Sequence, residues 1–224
     1  AAMTGMLTVP HPEMTDAKPL IAATMFGVTT PCIVKAQEYL ESQGYEVLVF
    51  HATGTGGRCM ESLIDGGLIT GVLGPGRCEA AALCGIPTVI STGALDMVNF
   101  GPYDTVPPQF ADRNLYKHNP TVTLMRTTAE ECEEIGKTIA GKINMSTGPV
   151  ACMLPLGGVS MIDAPGQPFH GPAEDEALFN ALRESIDPKR ASIIEIDANI
   201  NDDEFAIAAA KKLIELIEAQ KDHE

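Results

Sequence analysis

The run Tyr45-Glu-Val-Leu-Val-Phe-His-Ala-Thr-Gly-Thr-Gly-Gly-Arg58 decides the fold. Tyr45 to Phe50 is a short, mostly apolar stretch behind Gly44, the pattern of a strand buried on both faces. His51 to Gly57 is a glycine-rich loop, and Arg58 to Ile64 recurs at helical spacing before Gly66-Gly67 closes it. A buried strand, a glycine turn and a helix in that order form the repeating unit of an α/β sheet.

The same unit recurs in both directions. Upstream, Pro19 to Phe26 is a strand, and a helix with Thr30 as cap and Pro31 in its first turn runs to Gly44. Downstream come a strand at Leu68 to Leu73, a helix at Arg77 to Cys84 and a strand at Pro87 to Thr92. Gly93 to Pro120, with four prolines and no period, reads as a long functional loop. A strand at Thr121 to Arg126 follows, and Thr128-x-x-Glu131 is a capping box for a helix to about Asn144. Strands at Pro149 to Pro155 and Ala191 to Asp197, with helices at about Ala173 to Ser185 and Asp202 to Ala219, complete the pattern. The fold expected is a doubly wound, mainly parallel, Rossmann-like three-layer α/β sheet over residues 18–224. Residues 1–17 read as a linker or cloning remnant.

Ligands of such sheets bind at the carboxyl ends of the strands. There the sequence places Thr29 and Thr30, then Thr53, Gly54, Thr55, Gly56, Gly57 and Arg58. Ser91, Thr92, Gly93 and Asn99 follow, then Arg126, and then Gly157 and Gly158. These small, hydroxylic and amide residues are the candidate ligand contacts. His51 to Arg58 suits either a phosphate- or carboxylate-binding loop of backbone amides or a tight turn needing glycine geometry. It is neither a Walker A loop nor a G-x-G-x-x-G fingerprint.

His51, Asp96 and His118 are the acid–base candidates, against bland readings as a structural imidazole, a turn cap and a loop residue. Asp163 and His170 share a Gly/Pro-rich loop that reads as surface, with a lid as the alternative. Cys59 reads as a buried packing residue, with a low-pKa thiol as the alternative. Glu174-Asp175-Glu176 reads as a solvated first turn. No His or Cys spacing suits a metal, so none is expected.

The 224 residues are 45% hydrophobic and 20% charged, with net charge −15 and pI near 4.6. That balance argues against nucleic-acid or anionic-membrane partners, which need clustered cations. The charge is uneven: His51 to Arg126 carries −1 and 11 of the 21 glycines, and the remainder carries −14. Six scattered cysteines without C-x-x-C pairs suit a reducing compartment, and no segment reads as a signal peptide or membrane span, so a cytoplasmic location is expected.

Six stretches carry a family resemblance: "TMFGVTTPC", "GYEVLVFHATGTGGRCME", "GIPTVISTGALDMVNFG", "HNPTVTLMRTTAEE", "LPLGGVSMIDAPGQPFHGP" and "NINDDEFA". Through them the chain resembles the second domain of the Tm-one-like ATP-binding family. The resemblance implies an absent N-terminal Rossmann-like half as partner, and ATP as the cofactor it would allow. It also implies association with a TIM-barrel protein and a homo-oligomeric assembly. The function expected is a domain binding a phosphate- or carboxylate-bearing small molecule, with hydrolase or lyase chemistry as one outcome. The alternative is a non-catalytic ATP-dependent sensor or interaction domain. One departure stands out: family members carry an acidic, Thr-rich segment where Leu73 here meets Gly74 directly, and a dropped mobile loop is expected there.

Overall fold

The computed structural model describes residues 18–74 and 78–222. The expected linker at 1–17 and Arg77 lie outside the described residues. Six strands form one parallel sheet: β1 (Leu20–Met25), β2 (Glu46–His51), β3 (Gly71–Leu73), β4 (Thr88–Ser91), β8 (Val150–Pro155) and β9 (Ala191–Ile196). Their order is β2-β1-β3-β4-β8-β9. The chain winds outward from β1 to β2, then reverses through β3, so the topological switch lies between β1 and β3. The doubly wound, mainly parallel expectation holds.

Alternation along each strand builds the three layers. Ile21 and Ala23 of β1 face α1 (Thr30–Ser42) and α6 (Asp203–Lys221), packing on Ile33, Leu40, Phe205 and Leu213. Ala22 and Val72 face the other way, against Met60 and Ile64 of α2 (Thr55–Asp65) and Ala81 of α3 (Glu79–Cys84). Further along that second face, Ile90, Cys152 and Leu154 meet α4 (Ala129–Asn144) and α5 (Pro172–Ser185). The expected capping box opens α4, with Thr128 and Glu131 reciprocally bonded.

Several expectations are corrected. Gly93 to Pro120 is not structureless: it contains β5 (Met97–Phe100), two short 3-10 turns and β6 (Leu115–Asn119). The strand at Thr121 to Arg126, observed as β7 (Val122–Arg126), is not in the parallel sheet; it is the centre of an antiparallel sheet, β5-β7-β6. Its inner face packs Met97 and Leu124 on Val28, Ile162 and Phe169. Prolines at the turns concealed these short strands from a period count.

The glycine loop is shorter than read, because α2 already begins at Thr55. The first helix begins at Thr30, so Thr29 rather than Thr30 occupies the cap position. Cys59 is exposed, not buried, while Cys32, Cys78, Cys132 and Cys152 are buried; none of the six is in a disulfide. No helix among the described residues is long and apolar enough to cross a membrane.

Candidate functional site

The carboxyl ends of β1 and β2 are level, with Met25 opposite His51 in register and the Ala52 amide donating to the Met25 carbonyl at 2.8 Å. The chain leaving each strand therefore emerges side by side. Phe26 stacks obliquely on His51, ring centres 5.4 Å apart. Thr29 fixes the turn after β1: its hydroxyl accepts from the Phe26 amide at 3.2 Å and donates to the Phe26 carbonyl at 3.1 Å. Thr30 adds a bond to the same carbonyl. These two threonines position Phe26 and do not line the cavity beside it.

That cavity, about 430 Å³, is walled by Phe26 after β1, by Ala52 and Thr53 after β2, by Gly93, Ala94 and Leu95 after β4, and by Met97 and Asn99 on β5. It brings together Thr53, Gly93 and Asn99 of the expected contacts. His51 stands directly behind Thr53: its Nδ1 lies 3.0 Å from the Thr53 hydroxyl and 3.4 Å from the Thr53 amide. The Thr53 amide, which can only donate, points at Nδ1.

Gly54 has φ +67°, and α2 starts immediately after it without a side-chain cap and without an acidic residue in its first turn. Gly56 serves close packing: a Cβ there would lie 2.3 Å from the His51 carbonyl oxygen. Thr55, Gly56 and Gly57 thus form the helix's first turn, with Arg58 exposed beyond them. Ala94 has φ +59° among the described residues, a left-handed conformation unusual for a residue with a Cβ. Its amide is held by the Val159 carbonyl at 2.9 Å.

The other expected residues lie elsewhere. Ser91 and Thr92 are buried, and the Thr92 hydroxyl has no hydrogen-bond partner among the described residues. His118 is exposed on β6, away from the cavity wall. Asp96 is 1% exposed and turned inward, where its Oδ2 accepts from the Ser160 hydroxyl at 2.7 Å and its Oδ1 has no hydrogen-bond partner among the described residues. Burial is the main cause that lifts its carboxyl to about 7, against the Ser160 bond. The structure therefore does not gather His51, Asp96 and His118 into one acid–base group.

Arg126, expected at a ligand, is 5% exposed and its donors are occupied. Its Nε donates to the Phe169 carbonyl at 3.0 Å and its Nη2 to Asp175 at 2.7 Å, with Asp163 3.7 Å away. Sequence reasoning missed this cluster. Asp163 is fully buried rather than on a surface loop, accepting from the amides of Val159 and Gly171. Asp175 is buried against Arg126 rather than solvated; burial and Asp163 raise its carboxyl despite the guanidinium. The available signal was Arg126 itself, a cation that ends an apolar run.

Gly157 and Gly158 line a second cavity of about 340 Å³ with His170, Asp175 and Arg183. Gly158, at φ +121°, lets the chain pass within contact of Asp163.

Comparison with known proteins places this architecture. The profile described as "Uncharacterised protein family (UPF0261) C-terminal domain" matches residues 18–74 and 73–217. A UPF0261 protein of Clostridium tetani (strain Massachusetts / E88) is 55% identical over 235 residues, covering 97% of this chain and 58% of that protein. A UPF0261 protein of Rhizobium meliloti (strain 1021) is 46% identical, covering 93% and 56%. The ToMV resistance protein Tm-1 of Solanum lycopersicum is 41% identical, covering 91% and 30%. This chain thus spans just over half the length of the bacterial relatives and less than a third of the tomato protein. The chain belongs to the UPF0261 family and matches its C-terminal domain.

Proposed function

We propose that this is a small-molecule binding domain of a two-domain protein, with its ligand in the cavity between Phe26, Thr53, Ala94 and Asn99. The observation that carries the reading is the convergence of three strand exits and β5 on one cavity beside the sheet's switch point, where ligands of such sheets bind. The open start of α2 next to Thr53 suits an acidic group, since Gly54 supplies no side-chain cap and the first turn holds no acidic residue. His51, behind Thr53, is the candidate base if the bound molecule is turned over, and the strained Ala94 on the wall is of the kind found at working sites.

The two-domain reading is supported by the greater length of the relatives. The two-piece family match meeting at Leu73 and Gly74 supports a further segment there in the natural protein. The absent half, a TIM-barrel partner, self-assembly and a cytoplasmic setting remain part of the proposal. An ATP-dependent sensor is the second reading, favoured by the kinship with the tomato protein. Thermal-shift measurement with small carboxylates, phosphorylated metabolites and nucleotides tests the proposal. Saturable stabilisation by one class supports it, and stabilisation by none overturns it.

A further inference from the structure

We infer that Asp163 and Asp175 share one proton beside Arg126, and that this proton latches the loop after β8 to the first turn of α5. The loop and the helix meet at one guanidinium nitrogen: Arg126 Nη2 lies 2.7 Å from Asp175 Oδ1 and 3.7 Å from Asp163 Oδ1. All three residues are buried. Asp163 accepts from the Val159 amide at 2.9 Å through Oδ2 and from the Gly171 amide at 3.2 Å through Oδ1. Amides only donate, so these bonds favour its ionised form.

Two buried carboxylates against one guanidinium would leave uncompensated negative charge in the interior, a costly state. A proton on Asp175 removes it, and the protonated carboxyl can donate to Asp163 while Oδ1 still accepts from Arg126. Burial and Asp163 raise the Asp175 carboxyl, against the pull of Arg126. The other groups facing this centre do not supply a second cation. Asp96, between β4 and β5, adds a further buried carboxyl that interacts with Arg126 and Asp163. Cys132 of α4 feels Arg126, Asp175 and Glu174, and burial raises its thiol. Glu176, His170 and Arg183 border the cavity outside, where Arg183 is tied to Glu176 and Glu195.

The sign follows from where the proton leaves. An unfolded aspartate releases it near about 3.9, the folded carboxyl at higher pH. The latch is therefore fully present below about 3.9 and is lost as pH rises through the folded value. Deprotonation sets two buried anions facing each other across the loop–helix junction. Ile162 and Phe169 anchor the body of the loop in the core, and Asn199 holds the carbonyls of Gly157, Ser160 and Asp163. The stretch from His170 to Pro172 gives way first, and it forms part of the wall of the second cavity.

The test is amide hydrogen exchange of the full chain between about pH 5 and pH 9, expressed as protection factors, with the Asp175 carboxyl carbon titrated by NMR alongside. Protection of Gly171 and Val159 should fall at least about ten-fold, the change that one unit of pKa difference between latched and released states supports. Val89 and Ala151, in the parallel sheet, should keep theirs. Asp175→Asn keeps an acceptor for Arg126 and a donor for Asp163 but cannot titrate, so its Gly171 protection should be flat. The parent's carboxyl-carbon midpoint, which needs no variant to fold, should lie at least about two units above the free value near about 3.9. A midpoint in the ordinary carboxylate range, flat Gly171 and Val159 protection in the parent, or the same fall in Asp175→Asn overturns the inference.

Discussion

Arg126 and Asp175 stand 49 residues apart in sequence and 2.7 Å apart in space. The pair joins the last residue of β7 to the first turn of α5, and so fastens the antiparallel sheet to the parallel one. Arg126 also holds the carbonyls of Phe169 and Gly171, which end the loop from β8. Asp163 ties the same loop from within. The cluster fixes the β5 side of the cavity without contributing to its lining.

Breaking that pair at Asp175 leaves the buried Arg126 without its 2.7 Å partner and with Asp163, 3.7 Å away, as its remaining carboxylate. Asp175→Ala is expected to destabilise the fold by about 3–5 kcal/mol. The double variant Arg126→Met, Asp175→Leu should recover part of that loss. Urea unfolding of the two variants checks the difference; equal stability of Asp175→Ala and the parent would refute the structural role.

Asp96 makes stability depend on pH. Its folded carboxyl holds a proton up to about 7, whereas an unfolded aspartate releases it near about 3.9. The folded state thus binds more protons between those values. This group's contribution is fully present below about 4 and is lost as pH rises towards 7, at up to about 1.4 kcal/mol per pH unit. Asp96→Asn should flatten that fall. Denaturant midpoints of both proteins between pH 4 and pH 8 measure it.

Two backbone positions make opposite predictions. Ala94→Gly relieves a left-handed alanine and should be neutral or stabilising by up to about 1 kcal/mol. Gly56→Ala forces a methyl to 2.3 Å from the His51 carbonyl. It should cost about 1–3 kcal/mol and push α2 away from Thr53. Thermal melting separates the two.

Thiol accessibility tests the packing of both faces. Cys59 and Cys84 are exposed and should react rapidly with an aromatic disulfide reagent in the native protein. Cys32 and Cys152 lie in the core with their thiols pushed up to about 12 by burial, so they should react only on unfolding. Mass mapping of the labelled cysteines distinguishes the sets.

The parallel sheet was legible in the sequence because its strands are apolar runs and all but β4 lead into an α-helix with its own boundaries. Pro31, Gly44 and Thr128 marked those boundaries. β5 and β6 were not legible: Val98 and Asn99, successive residues on opposite faces of β5, are both exposed, and neither strand alternates long enough to show a period. Thr53, Gly93 and Asn99 could be collected by their place after strands. Arg126 and Asp163 also follow strands, but only three dimensions reveal that their partners are each other and backbone. A polar residue at a strand end looks the same in sequence whether it faces a ligand or closes the interior.

The central claim is that ligand enters between Phe26, Thr53, Ala94 and Asn99, and amide chemical-shift mapping during titration with whichever small carboxylate, phosphorylated metabolite or nucleotide stabilises the protein tests it most directly. The account predicts saturable shifts centred on Phe26, Thr53, Ala94, Leu95 and Asn99. Shifts centred instead on Gly157, Gly158 and His170, around the second cavity, would contradict it.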